Sequence, residues 1–187
     1  MFRRLFTALI FTTASLAAGQ ALGQISLLEK NEIVEKTVSG DYDGVRLLLL
    51  RGGNANSTDS NGKTALFEAA SNQDLSIMEL LMEFDADADW SDDLGNTALY
   101  YSVEQARYES VQFLLDANAN VNHSNKRGVT PVMMAARVGD PDIFMMLMDA
   151  GADPSLRDYS GNTIMDHARQ SRNGNMVNVA RRAGITD

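Results

Sequence analysis

The sequence predicts an all-α repeat solenoid, in which pairs of short helices stack side by side and short loops join the pairs. The first observation is a fixed period of 33 residues between four glycines: Gly62, Gly95, Gly128 and Gly161. A threonine stands two residues after each of these glycines, and an apolar residue follows two positions later. An apolar triplet recurs at the same period, at 47–49, 80–82, 113–115 and 146–148. A period of this length is typical of a repeat fold built from one small helical unit.

Each unit opens with a tight turn that leads into a first helix. An Asp or Asn stands three residues before each glycine, which is the layout of a type I turn with Gly at its last position. These residues are Asp59, Asp92, Asn125 and Asp158. The threonine is expected to cap the helix through its hydroxyl, and Pro131 fits the first helical position because its missing N–H costs nothing there.

The second helix of each pair is expected to be the more apolar one, because it carries the recurring triplet. Asp41, Asp74 and Asp140 precede three of these helices as candidate N-caps, whereas Arg107 stands at the fourth site. The loops that follow are rich in Gly, Asn and Asp, where a residue in the left-handed conformation can end a helix.

This unit resembles the ankyrin repeat, most clearly at 125–136, which reads Asn-Lys-Arg-Gly-Val-Thr-Pro-Val-Met-Met-Ala-Ala. The resemblance covers nearly everything after the first 25 residues, and it implies helix pairs with short β-hairpin fingers. We place an ankyrin-repeat domain at 24–187, with terminal units that are more polar because their outer faces meet water. Its five repeats are an N-terminal cap at 27–58, inner repeats at 59–91, 92–124 and 125–157, and a C-terminal cap at 158–187.

Residues 1–23 have the pattern of a secretory signal peptide. A basic start precedes an apolar stretch at 5–18, and small residues lead to an expected cleavage site before Gln24. The apolar stretch is shorter than the ~20 residues of a membrane-spanning helix. Cleavage after Gly19 and an uncleaved anchor are the alternatives. We therefore expect a bacterial periplasmic protein that leaves the membrane after signal cleavage.

The composition argues against several functions. The chain has 25 acidic and 16 basic residues and a formal net charge of −9, which disfavours nucleic acid and anionic membranes as partners. It has no cysteine, so disulfides and thiol chemistry are excluded. His123 and His167 stand in different repeats without a ligand cluster or an activated nucleophile, so we expect no metal, no cofactor and no catalytic residues. An enzyme with a site in the groove is the alternative class.

Two stretches have a second interpretation. Residues 85–89 alternate Asp and Ala like the opening of a calcium-binding loop, but Trp90 and Asn96 stand where that loop needs Gly and Glu. We therefore assign these aspartates to the loop between repeats, with a weak cation site as the alternative. The fourth repeat is rich in methionine, which favours core packing and leaves an oxidation-sensitive surface as the alternative.

In the family that this chain resembles, the fingers and the first helices form a concave groove that grips another protein. The resemblance implies the same here. Trp90, Leu94 and Tyr101 replace smaller or more polar residues of the preceding repeat, which indicates a partner, although packing between repeats is the alternative. Charged residues flank them as a mixed rim. The predicted protein-binding residues are Trp90, Asp93, Leu94, Asn96, Tyr101, Glu104, Lys126, Arg127 and Arg137.

The function that follows from the sequence is that of a periplasmic protein-binding module that assists or regulates another exported protein. A monomer is favoured, although the sequence does not determine the oligomeric state. Resemblance to exported bacterial ankyrin-repeat proteins implies a link to catalase and to protection against peroxide. The alternative is an immunity-type inhibitor that occludes a secreted toxin or effector enzyme.

Overall fold

The structure is a computed structural model that describes residues 32–186. The predicted signal peptide at 1–23 and the first residues of the N-terminal cap lie outside the described residues. Within them, ten helical segments follow one another in five pairs. They are α1 at 32–38, α2 Tyr42–Leu50, α3 Ala65–Asn72, α4 Leu75–Glu83, α5 Ala98–Glu104, α6 Tyr108–Asp116, α7 Pro131–Val138, α8 Pro141–Asp149, α9 Ile164–Arg169 and α10 Met176–Arg182.

The pairs stack into two layers. The first helices α3, α5, α7 and α9 contact one another in sequence, and the second helices α2, α4, α6 and α8 form a parallel layer beside them. Each repeat therefore contacts mainly its neighbours, which confirms the predicted solenoid. No helix of the described part is long and apolar enough to cross a membrane.

The first helices begin at the predicted threonines, but their hydroxyls do not act alike. Thr97 Oγ1 accepts a hydrogen bond from Tyr100 N, and Thr163 forms a reciprocal capping box with Asp166. The hydroxyls of Thr64 and Thr130 are buried and accept no cap hydrogen bond. All four threonines thus have the extended backbone of an N-cap, but only two of them cap the helix through the hydroxyl.

The second helices begin as the sequence predicts. The carboxylates of Asp41, Asp74 and Asp140 accept from backbone N–H groups of the first turn, and Pro141 occupies the first position of α8. Arg107 precedes α6 without a side-chain cap. Three of these helices therefore receive cap hydrogen bonds that α6 lacks.

The first helices are more deeply buried than the second helices, although the second helices carry the apolar triplets. In α7 every residue from Pro131 to Ala136 is buried, whereas α8 buries only Ile143, Phe144 and Leu147. A first helix has a repeat on each side, the second-helix layer behind it and fingers beside it, so few of its faces meet water. A second helix keeps an outer face in solvent, and the small side chains of the first helices allow the close packing.

Loops between repeats are joined by a ladder of side chains at the 33-residue period. The side-chain oxygens of Asn56, Asp89 and Asn122 each accept from a backbone N–H one repeat later, at distances of 2.7, 2.7 and 2.8 Å. The aspartates at 85–89 thus lie in a loop between repeats, as the sequence predicts, and Asp87 and Asp89 take part in this ladder.

Candidate functional site

The candidate site lies on the finger turns and the adjacent first helices. In each of the four turns, the carbonyl of the leading Asp or Asn accepts from the glycine N–H, which confirms the predicted turns. The leading side chain also accepts from two backbone N–H groups of its turn, as Asp92 does from Leu94 N at 2.9 Å and Asn96 N at 2.8 Å. The predicted hairpin fingers appear as these turns, and the only bridge in the described part pairs Thr58 with Thr64.

Neighbouring fingers are joined through their backbones. Asp93 N donates to Asn61 O at 3.2 Å, Lys126 N donates to Leu94 O at 3.0 Å, and Tyr159 N donates to Arg127 O at 3.0 Å. The approach is close enough that a Cβ built on Gly95, whose φ is +78°, would lie 2.9 Å from Lys126 N. The fingers therefore form one continuous ridge whose tips hold fixed positions.

The finger of the third repeat, at residues 90–96 and called the third finger below, carries two exposed apolar side chains. Leu94 is 63% exposed at the finger tip, and Trp90 is 37% exposed. The Trp90 indole Nε1 donates to Gly62 O of the preceding finger at 3.1 Å, so the ring is fixed between two repeats while part of it faces solvent. Trp90 thus has a packing role and an exposed face together.

Tyr101 anchors a chain of polar contacts beneath the third and fourth fingers. Its hydroxyl donates to Asp92 Oδ2 at 2.7 Å and accepts from Asn96 Nδ2 at 3.2 Å, and Asn125 Nδ2 donates to Asn96 Oδ1 at 2.9 Å. Burial and donation to Asp92 raise the pKa of Tyr101 to about 12. The Tyr101 ring packs on Phe67 and lies under the Lys63 ammonium at 4.3 Å.

Asn96 differs from the other predicted binding residues because it is only 5% exposed. Both ends of its amide are engaged with Tyr101 and Asn125, so it cannot offer them to a partner. Its place in the arrangement is to support the third and fourth fingers from below.

The charged residues of the predicted rim lie on two adjacent repeats, the third and the fourth. Asp93 and Glu104 are exposed on the third, and Lys126 and Arg127 are exposed on the fourth. Arg137 is half-buried in the last turn of α7. The structure brings these residues to adjacent repeats, with opposite charges on the two sides.

A cleft of about 390 Å³ opens between the fourth and fifth repeats, and its lining includes Lys126, Arg127, Arg137, Tyr159 and His167. His167 is buried in this lining. Its Nε2 lies 3.1 Å from Asp158 Oδ2, the counterpart of the Tyr101–Asp92 contact two repeats earlier. The 33-residue period, applied to the position of Tyr101, would have placed His167 there.

Larger clefts of about 460 and 410 Å³ lie between neighbouring second helices. Leu80 and Glu83 line the first, and Met146 and Asp149, two periods later, line the second. Because the same groove recurs two repeats later, it follows from helix stacking and does not mark a distinct site.

Histidines and acids of the described residues form no cluster that would hold a metal ion. His123 Nε2 lies 3.1 Å from Gly95 O, a contact between a loop and the neighbouring finger. Among the methionines of the fourth repeat, Met133 and Met134 are buried and Met145 is 39% exposed. Core packing therefore accounts for the first two, and Met145 is the one that solvent reaches most.

Two family models match the chain, and both describe ankyrin repeats. One, a model of three copies, matches residues 33–125, and the other, a model of many copies, matches residues 115–168. Together the two matches cover residues 33–168, which include all four finger turns. A comparison with curated proteins finds no match.

Proposed function

Because the chain belongs to the ankyrin-repeat family, whose repeats are generally protein-interaction modules, we propose that it binds another exported protein and assists or regulates it. The partner lies along the concave side, against the fingers and the first helices. Binding and not catalysis is the activity, because the exposed groups of this surface are apolar, aromatic and charged side chains suited to a protein interface.

The observation that carries this proposal is the third finger. Leu94 exposes 63% of its surface at a tip whose backbone is hydrogen-bonded on both sides, so a large apolar side chain is held in water at a fixed position. Trp90 is fixed nearby on the same finger by its bond to Gly62 O. Rigid apolar and aromatic side chains at the centre of a charged rim are typical of binding hot spots.

Export to the periplasm is part of the proposal and rests on the sequence pattern of residues 1–23. A catalase is the partner that the sequence resemblance favours, which would link the module to protection against peroxide. Intact-mass analysis of the protein from a periplasmic fraction should give a chain that starts at Gln24. A cytoplasmic pool that retains Met1 would contradict export.

The binding proposal is tested with immobilised protein and an extract of exported proteins. Leu94→Asp places a charge at the centre of the surface and should lower partner affinity at least about tenfold. Asn61→Asp is the matched control, because Asn61 is an exposed residue at the same position of the preceding finger. It should retain the partner within about twofold of the original protein.

Circular dichroism and thermal melting establish that both variants keep the fold. Loss of one defined protein from the Leu94→Asp column alone, identified by mass spectrometry, supports the proposal. Equal retention of all proteins by the two folded variants would overturn the assignment of the site to the third finger.

A further inference from the structure

The cleft between the fourth and fifth repeats gathers cations that have no carboxylate partner. Lys126 Nζ donates to the backbone oxygen of Asp93 at 2.7 Å, and Arg137 Nη2 contacts Met134 Sδ at 3.2 Å. Arg127 Nη2 reaches the Tyr100 hydroxyl at 3.5 Å. Within the described residues, no ion pair involves these three cations. In a chain with 25 acids and 16 bases, acidic residues are abundant, yet in the described part none forms an ion pair with these three residues.

One carboxylate lines the cleft, and its oxygens are already occupied. Asp158 Oδ1 accepts from Ser160 N and Asn162 N, both at 2.9 Å. Its Oδ2 accepts from Asn162 Nδ2 at 2.9 Å and lies 3.1 Å from His167 Nε2. Asp158 is also buried, so it shapes the finger and does not neutralise the arginines.

We propose that this cleft binds an acidic segment of the partner protein, with Asp or Glu side chains of that segment on Arg127 and Arg137. The proposal rests on the proposed function, since it names the chemistry of the partner that the concave side takes. A guanidinium presents its N–H groups in a plane that matches a carboxylate with two parallel hydrogen bonds. Arg137 is half-buried, which reduces screening of its charge by salt.

An aromatic wall completes the cleft. Tyr159 is 77% exposed at the tip of the last finger. Its ring lies directly on Gly128, because a Cβ built there would be 2.7 Å from Tyr159 Cδ1. The ring is thereby held beside Arg127, the residue before Gly128, and offers an apolar surface to a peptide backbone or side chain.

The same features favour a protein segment over nucleic acid. The cations occupy one cleft, and Asp93 and Glu104 stand exposed on the adjoining third repeat. A nucleic-acid strand needs a basic track along its phosphates. A chain of net charge −9 with one small cationic cleft is suited to a few carboxylates instead.

The test uses a short fluorescent peptide of alternating Glu and Leu residues, a matched peptide of Gln and Leu, and fluorescence anisotropy at low salt. The acidic peptide should bind the unmodified protein at least about tenfold more tightly than its Gln counterpart. Arg127→Gln combined with Arg137→Gln should weaken that binding at least about tenfold. Arg181→Gln combined with Arg182→Gln is the control, because both arginines are exposed on α10 and the change in net charge is the same.

Binding of the acidic peptide that the cleft variant loses and the control variant keeps supports the proposal, provided that circular dichroism shows both variants folded. Equal binding to the two variants, no preference for the acidic peptide, or tighter binding of a single-stranded oligonucleotide of equal charge would overturn it. Retention of a partner through Leu94 together with failure of the peptide would remove this inference alone. Peptide binding without any retained partner would instead count against the proposed function.

Discussion

At the residue scale, one side-chain position determines the shape of every finger. Asp59, Asp92, Asn125 and Asp158 occupy it, and each side chain accepts from the backbone N–H groups two and four residues later. Asn and Asp share the oxygen that makes these bonds. The charge is therefore dispensable for the turn, whereas the oxygen is not.

Asp92 provides the first prediction. Asp92→Ala leaves the buried Asn96 N–H and the Tyr101 hydroxyl without their acceptor and should lower the free energy of unfolding by about 2 to 3 kcal/mol. Asp92→Asn keeps the Oδ1 acceptor of the turn, as Asn125 does one repeat later, but replaces the Oδ2 that accepts from Tyr101 with a donor, and should cost about 1 to 1.5 kcal/mol. Urea unfolding measures both. Equal losses would mean that the turn hydrogen bonds do not stabilise the finger.

The second prediction concerns His167 and the dependence of stability on pH. Burial, the largest influence, holds the pKa of His167 below its ordinary value of 6.5, although the Asp158 carboxylate opposes this shift. The unfolded chain therefore binds the proton more readily, and the stability that this site contributes is present above about pH 6.5 and is lost as pH falls below it.

Thermal melting between about pH 7 and about pH 5 tests this direction. The melting temperature of the unmodified protein should fall with pH, and His167→Gln should flatten the profile. A melting temperature that rises as pH falls would show that the ion pair with Asp158 outweighs burial.

Sequence reasoning named residues that are exposed in the structure, such as Leu94, but missed the hydrogen bonds beneath them. Leu94 stands out because the preceding repeat has Asn61 at the same place. Asn96 looked equally variable, yet it is buried, because only the structure shows the Asn125 amide arriving from the next finger. Contacts between repeats depend on the spacing of fingers in three dimensions, which the period alone does not give.

At the element scale, left-handed residues end helices at two fixed positions of the repeat. Gly40, Gln73, Ala106 and Gly139 share one position, and all have positive φ. Gly52, Asp85, Asn118, Gly151 and Gly184 share the other. The glycines and the Asn were predictable from composition. Gln73 and Ala106 were not, since such residues seldom adopt this conformation and only the shared position reveals it.

Ala106 and Ala117 flank α6 and form a matched pair for the third prediction. Ala106 has φ +53°, so Ala106→Gly relieves the left-handed penalty and should raise the free energy of unfolding by about 0.5 to 1 kcal/mol. Ala117 has φ −78°, so Ala117→Gly relieves no strain and only increases the conformational entropy of the unfolded chain. It should therefore lower the free energy of unfolding by about 0.5 to 1 kcal/mol. Urea unfolding of both variants measures the two changes in the free energy of unfolding. Changes of the same sign would contradict the role of backbone conformation here.

At the scale of the whole molecule, the repeat period predicted the fold almost completely, including helix starts, turns and the order of units. It did not predict which layer is more buried. The apolar triplets drew attention to the second helices, whereas the first helices are enclosed on more sides by neighbouring repeats. Burial in a solenoid depends on position in the stack as well as on side-chain character.

Charge is distributed unevenly over this scaffold. Glu83, Asp116 and Asp149 recur at the last position of the second helices and line the clefts between these helices. Lys126 and Arg127 instead project from the fourth finger. The second-helix layer and the fingers of one acidic protein thus offer different electrostatic surfaces to a partner, and we place binding on the finger side.

Site-specific thiol labelling tests that assignment most directly, because the chain has no cysteine of its own. Glu104→Cys places a thiol at the end of α5 on the finger side, and Asp116→Cys places one at the end of α6 in the other layer; both positions are exposed acids of the same repeat. With the captured partner at saturation, labelling should slow at least about tenfold for Glu104→Cys and less than about twofold for Asp116→Cys. Protection of the thiol in Asp116→Cys, with that in Glu104→Cys still freely labelled, would contradict binding on the concave side.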